Sequence, residues 1–181
     1  MSLLQTAQRK HNVIQGEAYV TNQDIILTTL LGSCVAACIC DRDAGVGGMN
    51  HFLLPGDANN GVGSRSESYG AYLMEVLVNG LLKKGARRHA LEAKVFGGAR
   101  TMDLQTDIGS RNAEFAVRFL ATEGIPTACV DVGGVRGRRI EYWPLSGRSR
   151  RLLLNDKSAP VAVPPTFSTP PASSLGEVEF F

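Results

Sequence analysis

Up to Pro55 the chain is cut into apolar runs too short for a helix, and from Tyr69 onward the apolar residues fall into a helical period. That switch constrains the fold more than any other feature. Glu17 to Thr21, Asp24 to Thr29, Cys34 to Cys40 and Val46 to Leu54 have strand length, and Asn22-Gln23, Gly32-Ser33 and Asp41 to Gly45 punctuate them. Pro55 to Glu67, rich in Gly, Asn and Ser, reads as a loop. Leu73, Val76, Leu77, Leu81 and Leu82 then recur at helical spacing, with Lys83 and Lys84 in the last turn and Gly85 as the cap. Ala93 to Phe96 reads as a buried strand. Ser110 caps a second predicted helix, which carries Ala113, Ala116, Val117 and Leu120 and stops at Gly124. Thr127 to Val132 and Arg139 to Pro144 are two more predicted strands. Strands with two interspersed helices predict a mixed α/β domain in which helices pack over sheet.

The chain of 181 residues suffices for one such domain with a substantial core. Residues 1 to about 12 are polar and expected to fray, and the domain is expected over 13–156. The segment 157–181 crowds prolines between Pro160 and Pro171 among Ser, Thr and Ala, and is expected to be a flexible tail. A net charge of +2 demands neither nucleic acid nor a membrane surface. The N-terminus lacks a signal-peptide apolar core and no stretch approaches a membrane span, so a cytoplasmic protein is expected. In that compartment Cys34, Cys38, Cys40 and Cys129 are expected as free thiols.

Cys34 follows the Gly32-Ser33 turn, and His51 lies in the next strand-like run. Two antiparallel strands joined by the Asp41 to Gly45 turn bring these two side chains together. A thiol needs a base to become a nucleophile, and the imidazole needs a third group to hold its tautomer. Thr28, on the preceding strand, is a candidate for that group. Gly32 permits close backbone approach, and the Ser33 and Cys34 amides are candidate oxyanion donors. Each residue also has a plain structural role: a buried Cys is a small hydrophobe, a strand His is a bonded core residue, and Thr favours strands. Cys38 and Cys40 share one strand face and are expected in the core. Cys34, Cys38, Cys40 and His51 together are enough ligands for zinc, but the C-x3-C-x-C spacing is not the C-x2-C knuckle, and no metal is expected. Arginines crowd Arg136 to Arg151 around Tyr142 and Trp143. With so little net charge, a solvated strand edge or a protein-binding face explains them better than nucleic acid does.

These motifs resemble the CheD family, the chemoreceptor glutamine deamidases of bacterial chemotaxis. The resemblance rests on Gly32-Ser33-Cys34, Asn50-His51-Phe52-Leu53-Leu54-Pro55, Tyr69-Gly70, Phe96-Gly97-Gly98-Ala99, Ile108 to Asn112, and Asp131 through Gly134 to Gly137-Arg138. It spans roughly Gly16 to Gly147. It implies Cys34 as nucleophile, His51 as general base and then acid, and Thr28 as third member, with Thr29 as the fallback if the register differs. It also implies a layered fold similar to the cytotoxic necrotizing factor deamidases, a chemoreceptor cytoplasmic domain as substrate, the phosphatase CheC as a further partner, and no cofactor. Ser68 stands where the family often has Arg. The competing expectations are a non-catalytic adaptor and a thiol amidase acting on some other protein glutamine.

Overall fold

The computed structural model describes residues 8–54, 65–100 and 107–154. Within them the chain forms three layers: a four-stranded sheet, a five-stranded sheet, and two helices. The first sheet has the order β1 (Lys10–Asn12), β3 (Ile26–Leu31), β8 (Arg138–Trp143), β9 (Arg148–Leu153). β1 runs parallel to β3, and the other pairs are antiparallel. The second sheet has the order β2 (Glu17–Thr21), β5 (Val46–His51), β4 (Val35–Asp41), β6 (Glu92–Gly97), β7 (Thr127–Val132), all antiparallel except β6 with β7. The mixed α/β expectation therefore holds.

β4 is buried at every position because it has apolar matter on both faces. Val35, Ala37 and Ile39 face α1 (Arg65–Lys83) and α2 (Ile108–Thr122) in one core. Cys34, Ala36, Cys38 and Cys40 face Leu27, Leu31, Ile140 and Tyr142 of the first sheet in the other. Gly85, at φ +98°, and Gly124, at φ +67°, follow the two helices as their sequence positions predict.

Four expectations change. Lys10–Asn12, expected to fray, pair in register with Ile26, Leu27 and Thr28. α1 begins at Arg65, inside the expected loop, and Val76 lies on its exposed side. Asp107, not Ser110, is the N-cap of α2: its carboxylate accepts the Ser110 N–H at 3.0 Å and the Ser110 hydroxyl at 2.8 Å. The second half of the arginine-rich segment forms a strand of its own, β9, which the sequence reading does not include. The expected flexible tail lies outside the described residues.

Candidate functional site

Cys34 ends a turn whose carbonyls are all held. Gly32 C=O accepts from the Ala99 N–H at 2.8 Å, Ser33 C=O from the Asn112 side-chain amide at 2.8 Å, and Cys34 C=O from the Gly98 N–H at 2.8 Å. The approach from β6 is so close that a Cβ on Gly97 would lie 2.1 Å from the Cys34 oxygen, and Gly97 has φ +114°. Only glycine fits both demands. Asn112 is fully buried, and its Oδ1 also accepts the Leu54 N–H at 2.9 Å. One side chain thus ties the segment before β4 to the segment after β5. This is the structural work of the Ile108 to Asn112 motif.

His51 closes β5. The β4–β5 ladder pairs Cys38 with Met49, and the isolated bridge pairs Val35 with Phe52. Between them the Ala37 N–H bonds the Asn50 side chain at 2.9 Å, so Asn50 is part of the motif for a structural reason. Extending this register places His51 opposite Ala36, with Cys34 one step along the same face. Such diagonal neighbours stand about 7 Å apart, within reach of side chains that lean toward each other. The Cys–His juxtaposition is therefore diagonal, between the two sheets. Cys34 is 4% exposed and His51 7% exposed, so both are buried.

The hydroxyl against the imidazole belongs to Thr29, not Thr28. Thr29 is buried beside Leu27 and Leu31 on the inner face of β3, whereas Thr28 points to the outer face, in register with Asn12 and Glu141. A one-residue step along a strand reverses the face. Thr29 Oγ1 donates its proton to Val13 C=O at 2.7 Å. Its contact with His51 Nδ1 at 2.9 Å must then be one in which Nδ1–H donates to the hydroxyl oxygen. Val13 C=O also lies 3.3 Å from Nδ1. Both contacts hold the proton on Nδ1 and leave a lone pair on Nε2. That buried nitrogen has no hydrogen-bond partner among the described residues.

Burial sets the charge state of the pair. It pushes the Cys34 thiol up to about 11, against the opposing pull of its own amide N–H. It lowers the His51 pKa, which the Val13 carbonyl and Glu17 partly offset. At rest the thiol and the imidazole are both neutral. The thiol donates to Gln15 Oε1 at 3.4 Å. Tyr69 also borders the site: its pKa is raised by burial and then by Cys34, and a Cβ on Gly16 would come 3.1 Å from its hydroxyl. Gln15 is invisible in the sequence, because nothing local links it to Cys34. Tyr69 stands in a motif that gives it no role.

Gly32 and Ser33 sit in the Cys34 turn, with their carbonyls bonded as described. Cys38 and Cys40 lie in the inter-sheet core as expected, and the Cys38 thiol is held protonated by burial. Among the described residues no three potential ligands cluster around a metal position. The arginines of β8 and β9 are largely ion-paired. Arg138 bonds Asp131 at 2.6 Å, Arg151 bonds Asp131 at 2.6 Å, Arg150 bonds Glu141, and Arg148 lies 4.2 Å over the Trp143 ring. Among the described residues no helix is long and apolar enough to cross a membrane.

The family model described as CheD chemotactic sensory transduction matches residues 53–151. A probable chemoreceptor glutamine deamidase CheD from Caulobacter sp. (strain K31) is 49% identical over 174 residues, covering 95% of this chain and 93% of that protein. Its counterpart in Agrobacterium fabrum (strain C58 / ATCC 33970) is 48% identical over 182 residues, 99% of this chain and 100% of the other. Among solved structures, Neisseria meningitidis protein NMB0706 has a TM-score of 0.46 and 11% identity, over 70% of this chain and 64% of that one.

Proposed function

This chain belongs to the CheD family, and on that premise we propose that it deamidates glutamines on the cytoplasmic helices of chemoreceptors with Cys34 as nucleophile. The observation that carries the reading is the bare Nε2 lone pair of His51, oriented through Nδ1 and set on the same face as Cys34. In this mechanism His51 Nε2 takes the thiol proton as the carboxamide enters, and the thiolate adds to the amide carbon. The Cys34 amide, already directed at its own sulfur, is the candidate donor to the oxyanion, with the Ser33 amide beside it. His51 returns the proton to the departing ammonia, leaving a thioester. The same nitrogen then activates water, and glutamate leaves with the thiol restored. Thr29, in the place expected of Thr28, acts as a positioning residue that fixes the imidazole tautomer.

Both resting groups are neutral because they are buried, so the ion pair is disfavoured at rest and forms as the thiol proton passes to His51 during attack. A glutamate methyl ester differs only in its leaving group and is a second substrate for the same steps. The reaction needs no metal or organic cofactor, and such a substrate puts the enzyme in the cytoplasm. The CheC phosphatase is the further partner that this reading carries.

The test is mass spectrometry of a receptor cytoplasmic fragment incubated with the wild-type chain and with Cys34→Ala. Glutamine-to-glutamate conversion by the wild type alone is expected. Conversion by both proteins removes Cys34 from the chemistry. Conversion by neither, with a cognate receptor, leaves the adaptor reading, which CheC binding by Cys34→Ala would then test.

A further inference from the structure

The side chain bonded to the Cys34 thiol is a carboxamide, the functional group on which the proposed reaction acts. We propose that Gln15 is itself a substrate of Cys34, converted in cis to glutamate. This inference rests on the deamidase reading above and adds a modification site within the chain.

Its support is the way Gln15 is held. Val13 N–H bonds Thr28 C=O at 2.8 Å, and Val13 C=O takes the Thr29 hydroxyl and faces His51 Nδ1. On the other side of Gln15, Gly16 N–H bonds the His51 carbonyl at 2.7 Å. Ile14 N–H bonds the Glu17 carboxylate at 3.0 Å, and Glu17 N–H returns to Ile14 C=O at 3.1 Å. The turn is shaped by Gly16 at φ +87°. Val13, two residues before Gln15, and Gly16, directly after it, are thus bonded to His51 itself, one to its ring and one to its backbone. The backbone on which the Gln15 carboxamide is mounted is thereby held beside His51, and Oε1 stands 3.4 Å from the Cys34 Sγ. Gln15 is only half-buried, so ammonia has a route out.

The steps balance without a further reagent. The Cys34 proton moves to His51 Nε2, and the sulfur adds to Cδ of Gln15. The C–N bond breaks, ammonia leaves with the proton from His51, and a thioester joins Sγ to Cδ. Water, deprotonated by Nε2, adds to Cδ. The C–S bond breaks, the thiol regains its proton, and a glutamate side chain remains at position 15. One water enters and one ammonia leaves. At rest the S–H points at Oε1, and no thiolate points at Cδ, so the conversion is slow and accumulates after folding.

The experiment holds the full-length chain with a receptor cytoplasmic fragment at neutral and at mildly alkaline pH. The peptide containing residue 15 is sequenced by tandem mass spectrometry over time. Cys34→Ala and Cys34→Ser run in parallel, with folding checked by circular dichroism. Conversion of Gln15 to glutamate is expected about 100-fold faster in the wild type than in either variant, the scale of a positioned acid–base group, and faster at the higher pH. Wild-type material that already carries glutamate at this position at the start, beside variants that do not, supports the same conclusion. An intact Gln15 beside a converted receptor fragment overturns this inference and leaves the deamidase reading standing. Equal conversion of Gln15 in wild type and variants means spontaneous hydrolysis and also overturns it. If neither glutamine is converted, the deamidase reading fails and takes this one with it.

Discussion

Replacing Thr29 by Val should damage the enzyme, while the same change one residue earlier should not. Val keeps the shape of Thr and removes the hydroxyl. At position 29 that deletes the 2.7 Å bond to Val13 C=O and the 2.9 Å bond from His51 Nδ1. Each buried hydrogen bond contributes about 0.5–1.5 kcal/mol net. The two orphaned groups still face each other at 3.3 Å, so part of the loss is recovered. The expected cost is therefore about 1–2 kcal/mol of stability, or about 2–8 °C in melting temperature. The larger effect falls on chemistry. Without Oγ1, the imidazole loses about 1.4 kcal/mol of preference for the tautomer with a bare Nε2, so kcat/KM for receptor deamidation should drop about tenfold. Thr28 lies on the outer face, so Thr28→Val should stay within about 0.5 kcal/mol and keep full activity. Thr29→Ser restores the oxygen and should regain most of the rate despite its lost methyl group. The assay is deamidation kinetics followed by mass spectrometry, with thermal melts of the same samples. A damaged Thr28→Val beside an intact Thr29→Val would refute the register on which this reasoning depends.

His51 should make stability fall as pH falls. Burial lowers its native pKa, so below its ordinary value of about 6.5 the unfolded chain takes up a proton that the folded chain refuses. The contribution is complete above that pH and declines as pH drops through the native pKa. Asp107 and Glu141, whose pKa values are lowered by hydrogen bonds, add their losses only below about pH 5. Urea midpoints should therefore decline between about pH 7 and 5, and His51→Gln should flatten that slope; an unchanged slope in the variant would exclude His51 as its source. Asn112→Ala strands the buried Leu54 N–H and Ser33 C=O, and should cost about 2–4 kcal/mol in urea unfolding; a loss below about 1 kcal/mol would mean that water replaces both bonds. Gly97→Ala forces a Cβ to 2.1 Å from the Cys34 carbonyl at a positive φ, and should cost about 3 kcal/mol or more along with the activity. Gly134→Ala also has a positive φ but open space around it, so about 1–2 kcal/mol is expected, and equal losses at both sites would refute the close-approach argument.

Sequence reasoning failed at particular residues for particular reasons. β1 is a three-residue polar strand that exists only because β3 lies beside it, so it has no periodicity of its own to read. β9 shows no apolar alternation; its Arg150 and Arg151 pair with Glu141 and Asp131 on other strands and Arg148 stacks on Trp143. Asp107 and Ser110 have equally good cap chemistry, and only the backbone of the first turn decides between them. Thr28 and Thr29 are two adjacent threonines in one strand, equally good strand formers. Which of them meets His51 depends on the face that β3 turns toward another sheet.

The features legible along the chain are local ones. A period of two, then one near 3.6, with turn residues between, sets most strands and both helices, because side-chain direction in a strand or helix follows from backbone geometry alone. The short connection from β4 to β5 likewise puts Cys34 and His51 on one face, since the pairing register of a hairpin follows from its turn. Folding supplies the partners that come from elsewhere. Thr29 arrives from the opposite sheet, Asn112 from a helix, Gly97 from the neighbouring strand, and Gln15 from a turn bonded to His51. Each of those contacts depends on how layers pack against one another, and the spacing of residues along a chain does not encode the distance between surfaces that meet only after folding.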